Sequence, residues 1–156
     1  MRLHKQEIHD QSVIKNILKE ADICRIGFSI NNTPYIVPVN FAYRNNQIYI
    51  HSAPEGFKIE IIKTNPYVCF EVESDVKIIP AETPCKWATK YRSVIGYGTI
   101  KIIIDSEEKN KGLDIIMSKY LESKTFDYNK NNLDRMIILK IDIEKISAKQ
   151  SSNFDS

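Results

Sequence analysis

Several long segments of the chain alternate apolar with polar residues, and this period of two constrains the fold more than any other feature. In the segment 136–148, Ile137, Leu139, Ile141 and Ile143 share one side. Because successive side chains of a strand point to opposite faces, this pattern predicts a β-strand with one buried face. Comparable strand segments are predicted at 24–30, 35–43, 47–53, 67–79 and 92–104.

Helical periodicity is confined to shorter segments. The segment 10–21 carries one apolar stripe that includes Ile14 and Ile17, and either Asp10 or Ser12 can cap its start. Further helices are predicted at 56–64 and 106–121. Six or seven mostly antiparallel strands with two or three short helices favour a barrel or a sandwich that the helices plug or flank.

Turn residues predict the connections between these elements. Asparagine-rich turns join the three strands between residues 24 and 53, which are expected to form an antiparallel meander. Pro38 lies within the second of these strands, and since proline lacks the ladder N–H it marks a sheet edge or a bulge. The segment 80–91, with two prolines and the single tryptophan, is expected to be a loop, and 124–135 a polar, mobile segment.

Size and charge limit the classes of protein. A chain of 156 residues is long enough for one domain with a substantial core. Its 22 basic and 20 acidic residues are too balanced for a nucleic-acid binder. No signal peptide is apparent at the start, and no apolar run approaches the ~18 residues of a membrane span. A soluble, cytoplasmic protein with no membrane or nucleic-acid partner is expected.

The three cysteines and three histidines do not indicate a metal site. The cysteines lack a C-x-x-C pair, and their odd number favours a reducing compartment over a disulfide framework. Cys24 and Cys69 lie within apolar strand segments, so both are expected to be small core residues. The histidines are not spaced as metal ligands, so no metal is predicted.

The stretch HSAPEGFK, residues 51–58, joins a predicted strand to a predicted helix. Ser52 ends the strand, Gly56 begins the helix and Lys58 lies in its first turn. A hydroxyl, a lysine and the N–H groups of a helix start are the groups that bind a phosphate. A capped helix with a solvated lysine explains the same residues, and both interpretations stay open.

Two more stretches have a functional and a structural interpretation. Pro38 in VPVNF leaves backbone groups free to face a flat ring, although an ordinary edge strand has the same feature. Trp87, Tyr91 and Arg92 can cover a ring or contact another subunit, or they can anchor a long loop to the core. No motif of a nucleophile with its base is present, so a bound cofactor would have to supply any difficult chemistry.

Four segments in this order, 35–43, 48–58, 65–72 and 85–98, resemble the pyridoxamine 5′-phosphate oxidase-like, FMN-binding split-barrel superfamily. Within it the chain is most similar to the nitroimidazole-resistance branch. The resemblance implies a mainly β fold, a six-stranded antiparallel split β-barrel with short flanking helices. It also implies one FMN-binding domain over residues 1–147, a polar tail over 148–156, and a homodimer with FMN in the clefts between subunits.

The resemblance assigns roles to particular residues. Ser52 and Lys58 match positions that hold the FMN phosphate, and His51 would lie near the flavin or the substrate pocket as a candidate catalytic residue. The backbone of Val37, Pro38, Val39 and Asn40 would line the flavin ring. Trp87, Tyr91, Arg92 and Ser93 would reach the cleft from the partner chain.

The implied function is an FMN-dependent oxidoreductase that passes electrons to a small-molecule acceptor such as a nitro compound, with His51 as a proton donor. The end of the chain lacks the basic residues that would bind a second phosphate, which disfavours pyridoxamine phosphate oxidation. Two alternatives stay open because a fold does not fix a function. They are a flavin- or haem-binding carrier or sensor, and a dimer without a cofactor.

Overall fold

The computed structural model describes residues 4–121, 128, 133–152 and 154. The main helices in this part of the chain are α1 (Gln11–Glu20), α2 (Phe57–Thr64) and α3 (Ser106–Tyr120), and short 3-10 helices lie at His4–Gln6 and Pro84–Lys86. Its strands are β1 (Glu7–Ile8), β2 (Ile23–Ile30), β3 (Thr33–Asn40), β4 (Ala42–Arg44), β5 (Gln47–Ser52), β6 (Tyr67–Ile79), β7 (Ala88–Ile103) and β8 (Ile137–Gln150).

All strands belong to one antiparallel sheet in the order β3-β2-β6-β7-β8-β5-β4, with β1 paired to β8. The chain passes directly from one edge strand, β3, to the other, β4, through Phe41. The sheet therefore curls until its edges meet, and β3 contacts β5. The predicted class, a mainly β antiparallel split barrel with short flanking helices, is confirmed. The described strands number eight instead of six, because β1 and β4 are short additional pieces.

Two predicted segments are only partly right. Both hairpins of the predicted meander form, β2 with β3 and β4 with β5, but the predicted second strand, 35–43, is divided at Phe41, so β5 pairs with β4 and β8 and not with β3. Phe41 is fully buried between β3 and β4, so the chain bends there to place this ring in the core. The segment 80–91 is not simply a loop, since strand pairing resumes where Ile79 faces Ala88 and β7 starts at that residue.

Aliphatic side chains fill the barrel, and two helices close it. The apolar face of α1 contributes Ile14, Ile17 and Leu18, and α2 contributes a similar set. Asp10 is the cap of α1, since its carboxylate accepts a hydrogen bond from the Ser12 amide at 2.7 Å. A second cluster under α3 covers the outer side of β4, β5 and β8. Ala42, Tyr49 and Ile138 on these strands therefore pack against α3.

The C-terminal part of the chain continues the barrel. β8 extends to Gln150, three residues past the boundary predicted at 147. The buried Ser151 then donates its amide to the carbonyl of Tyr91 at 3.0 Å. Of the segment 124–135, predicted to be mobile, the greater part lies outside the described residues. None of the helices in the described part is long and apolar enough to span a bilayer.

Candidate functional site

The N-terminus of α2 presents unsatisfied amides beside an open surface. Gly56 caps the helix with φ of +110°, a conformation that favours glycine, and it has no side chain to cap the amides that follow. The amides of Ile59 and Glu60 donate to the Gly56 carbonyl, at 2.9 and 3.3 Å. The preceding amides of Phe57 and Lys58 have no acceptor among the described residues.

Ser52 and Lys58 flank this helix start. Ser52 ends β5 and is buried, with its hydroxyl donating to the carbonyl of Ala53 at 2.9 Å. Lys58 is half-buried in the first turn of α2. His51 is exposed, and because side chains alternate along β5 it points to the face opposite Ser52. The connection between β5 and α2 thus carries the predicted hydroxyl and lysine, while the imidazole of His51 faces away from the hydroxyl.

The predicted ring-binding segment, Val37 to Asn40, lies on an edge strand. Val37 and Val39 pack against the core, whereas Pro38 and Asn40 are exposed. β3 pairs only with β2, so every second backbone group along it faces away from the ladder. Pro38 therefore marks a sheet edge, as its sequence context predicted.

The first half of β3 lies beside the start of α2. The ring centroids of Tyr35 and Phe57 are 5.1 Å apart, with the ring planes at 72°. β4, which follows β3 directly after Phe41, pairs with β5 where Ala42 faces Tyr49, and β3 itself contacts β5. The structure therefore brings one group of predicted residues together. We call it the α2 junction, and its members are Val37, Pro38, Val39, Asn40, His51, Ser52 and Lys58.

The other predicted residues lie on the arm, which we define as residues 74–93 at the far end of the β6–β7 hairpin. Trp87 is 55% exposed, and its indole N–H donates to the Ala81 carbonyl at 2.8 Å. It is therefore held within the arm and does not anchor the core. The sequence left both roles open.

Arg92 is held by contacts with the arm and the C-terminal residues. Its guanidinium carbon lies 3.7 Å from the ring centroid of Phe154, and its Nη1 lies 3.9 Å from the Asp75 carboxylate. Its Nε is buried and has no hydrogen-bond partner in the described part of the chain. Ser93 is also buried, between Glu73 and Lys149 in the ladder.

Within one chain the arm and the α2 junction are separate. β2 and β6 lie between β3 and β7 in the sheet, and along β8 Arg92 faces Gln150 whereas His51 faces Ile138, twelve residues away. No hydrogen bond, ion pair or ring contact among the described residues joins the two groups. A site that uses both groups therefore needs a second copy of the chain or a large movement of the arm.

A cleft that the sequence did not predict lies on the outer face of β3, β2, β6 and β7. It has a volume of about 510 Å³, and its lining includes Ile36, Tyr67 and Tyr97. The two tyrosine rings stack with centroids 6.3 Å apart. One feature of the sequence could have predicted this cleft. β3 carries apolar residues on both of its faces, which is typical of a strand that is covered on both sides.

The cysteines differ in a way that the apolar pattern did not predict. Cys24 is buried in the core as expected, and burial raises the pKa of its thiol to about 12. Cys69 is only half-buried and lines the outer cleft, so its predicted core position is wrong. In the described residues, no group of three or more His, Cys, Asp or Glu side chains is arranged to hold a metal ion.

A family model described as pyridoxamine 5′-phosphate oxidase matches residues 10–150 of the chain. A crystal structure from Bacteroides thetaiotaomicron, of a candidate 5-nitroimidazole antibiotic resistance protein, is 32% identical in sequence. Its TM-score is 0.82, and the alignment covers 92% of this chain and 86% of that chain.

More distant structures share the fold. A flavocytochrome from Azotobacter vinelandii has a TM-score of 0.84 at 19% identity, over 97% of this chain and 72% of that chain. An FAD- and haem-binding protein from Mycobacterium smegmatis has a TM-score of 0.82 at 15% identity, over 94% and 74%. An uncharacterized protein of Rhizobium meliloti is 31% identical over 58 residues, which span 37% of this chain and 38% of that protein.

Proposed function

The chain belongs to the pyridoxamine 5′-phosphate oxidase family, and on this premise we propose that it binds FMN and reduces a small-molecule acceptor. The observation that carries the proposal is the helix start at the α2 junction, with two amides that have no acceptor among the described residues. The predicted resemblance to this family and to its nitroimidazole-resistance branch is confirmed by the family match and the Bacteroides thetaiotaomicron structure.

The α2 junction fits a phosphate group. The amides of Phe57 and Lys58 and the positive end of the helix dipole favour an anion. A lysine in the first turn opposes the dipole by a few tenths of a kcal/mol, but next to a phosphate dianion its charge becomes favourable. The hydroxyl proton of Ser52, which now points to Ala53, turns toward a phosphate oxygen in this proposal.

The edge of β3 fits a flat polar ring. Backbone groups between Val37 and Asn40 that face away from β2 are free to hydrogen-bond the ring edge, and Pro38 prevents another strand from pairing there. FMN, when bound, supplies the electron transfer. The residues of the α2 junction bind it, orient it and keep one face open to the acceptor.

His51 is the proposed proton donor to the acceptor. Its imidazole is exposed and faces away from Ser52, so it does not compete for the phosphate. An imidazole can donate a proton to a reduced acceptor, and exposure to water lets the proton be replaced between turnovers. The acceptor class, a nitro compound or another small oxidant, follows the similarity to the Bacteroides thetaiotaomicron protein.

A homodimer is the proposed assembly. Ile36, Tyr67 and Tyr97 are large exposed side chains on the outer face of the sheet, and an apolar patch of this kind marks an interface. In this proposed assembly the arm of the second copy, with Trp87 and Arg92, completes the α2 junction of the first. The proposed location is the cytoplasm, since a reducing compartment suits the three free cysteines.

The first experiment adds FMN to the purified protein, removes the excess and records the absorbance spectrum. We expect a retained flavin spectrum and an FMN affinity about 10–100-fold weaker in Lys58→Ala, because a charge-assisted hydrogen bond is lost. Lys63→Ala, at the exposed end of the same helix, is the matched control and should retain flavin. A protein that retains no FMN would refute the proposal.

Turnover then separates enzyme from carrier. We expect reduction of a nitro compound by the flavin-loaded protein, and a slower rate in His51→Ala at an unchanged flavin content. Full turnover in this variant would exclude the proton-donor role. Tight FMN binding without reduction of any acceptor would instead favour a flavin-binding carrier or sensor.

A further inference from the structure

Two adjoining clefts lie beside the β4–β5 turn, between α1 and α3. Their volumes are about 680 and 280 Å³, and both are lined by Lys19, Tyr43 and Arg44. The larger cleft also contacts Lys15 on α1 and the asparagines of the turn. We call this surface the basic groove, formed by Gln11, Lys15, Lys19, Arg44, Asn45 and Asn46.

The charges of the basic groove are all of one sign. Neither cleft has a carboxylate among its lining residues, although the whole chain has 20 acidic residues against 22 basic ones. Lys15, Lys19 and Arg44 are exposed, and no ion pair or hydrogen bond joins their side chains to another described residue. Three uncompensated cations therefore converge on one concave surface.

A fourth cation at the groove already has partners within the chain. The ammonium of Lys119 lines the smaller cleft, but it donates to the backbone carbonyls of Ala21 and Phe41. It also lies 4.1 Å from the ring centroid of Phe41. These contacts fix the wall of the groove and leave the other three cations for a ligand.

The elements that carry the cations are fixed in place. Lys15 and Lys19 are four residues apart on α1, where like charges oppose helix formation slightly. Arg44 precedes a turn in which Asn45 and Asn46 have φ of 51° and 62°, as a tight hairpin turn requires. The Asn46 amide group donates to the Ile143 carbonyl at 2.9 Å, which anchors the turn to β8. The backbone positions that carry the cations are therefore fixed around the groove before any ligand arrives.

We propose that the basic groove binds a small oligophosphate, of the size of the phosphate chain of a nucleotide. Phosphate oxygens accept charge-assisted hydrogen bonds from lysine and arginine, and the asparagine and glutamine amides add neutral donors. This site is distinct from the α2 junction. Ser52 and the turn lie at opposite ends of β5, about 17 Å apart along the strand.

The test is calorimetric titration of the full-length protein with inorganic triphosphate at physiological ionic strength, where exposed charges are screened beyond ~8 Å. The groove variant is Lys19→Gln/Arg44→Gln. The control is Lys63→Gln/Lys145→Gln, which removes the same charge at two exposed positions elsewhere. We expect saturable binding of one triphosphate per chain, weakened about tenfold or more in the groove variant and unchanged in the control.

Three outcomes would overturn the proposal. They are the absence of saturable binding, an equal loss of affinity in the control, and binding that displaces FMN from the flavin-loaded protein. An equal loss in the control would mean that overall charge attracts the anion. Displacement of FMN would mean that triphosphate occupies the flavin site. The titration does not require flavin, so its result is independent of the proposed function.

Discussion

The α2 junction and the arm contain the residues that the sequence predicted for one site, yet the two regions differ in how they attach to the barrel. The junction lies where three segments of the same chain meet, next to the fully buried Phe41 and the buried Ser52. The arm leaves the sheet, and Trp87 at its end is 55% exposed. Contacts within a single chain thus hold the α2 junction, although Pro38, Asn40 and His51 are exposed, whereas the end of the arm at Trp87 extends into solvent.

The contacts of Arg92 extend the contrast. The buried Nε of Arg92 has no hydrogen-bond partner among the described residues, and its guanidinium packs against the Phe154 ring. Hydrogen bonds among the described residues therefore do not satisfy every donor of this side chain. The members of the α2 junction lie on β3, β5 and α2, which all contribute side chains to the barrel core. The comparison teaches that a residue's place in a motif does not tell whether its own chain or a second copy completes the site.

The largest expected effect is a difference in unfolding free energy between a variant next to the α2 junction and a variant in the arm. Phe41→Ala should lower the free energy of unfolding by about 3–5 kcal/mol, because it leaves a cavity beside the junction and removes the ring under Lys119. Trp87→Ala should lower it by less than about 1 kcal/mol, since an exposed side chain leaves little cavity. Urea unfolding of both variants measures the difference. Equal losses would show that the arm belongs to the same cooperative core.

The next prediction tests whether the arm of one chain completes the junction of another. Lys58→Ala and Arg92→Ala should each reduce FMN retention in a homodimer. When chains carrying the two variants are mixed and allowed to exchange, half of the dimers are mixed and each has one intact site. Flavin content should then recover to about a quarter of the wild-type value. No recovery, with mixed dimers demonstrated by two affinity tags, would place both groups in one chain or exclude the arm.

The smallest expected effect is in the reactivity of the thiols. At pH 8 the Cys24 thiol stays protonated, since burial raises its pKa to about 12, and it should react with a disulfide reagent only after unfolding. The exposed Cys85 on the arm should react fast at every protein concentration. Cys69, on the outer face, should react a few-fold faster on dilution if a second copy covers it. A Cys69 rate that is independent of concentration would argue against this interface, and Cys69→Ser identifies its kinetic phase.

Much of the fold could be predicted from local patterns. The period of two located the long strands, and the apolar stripes located α1, α2 and α3, because both patterns depend only on which side chains neighbour one another along the chain. Pro38 marked an edge, since a proline without an N–H has the same effect in any sheet. Asp10 and Ser12 could not be distinguished as caps, because the choice between them depends on where the helix begins.

The tertiary structure decided three other features. They are the pairing of β5 with β8, the separation of the arm from the α2 junction, and the convergence of Lys15 and Lys19 with Arg44. Each of these features joins residues that are distant in the sequence, and each depends on the way the sheet curls around its core. The sequence by itself determined the strands, the helices and the family to which they belong. Only packing decided which strands are neighbours and which faces stay uncovered, because those outcomes minimise exposed apolar area over the whole chain at once.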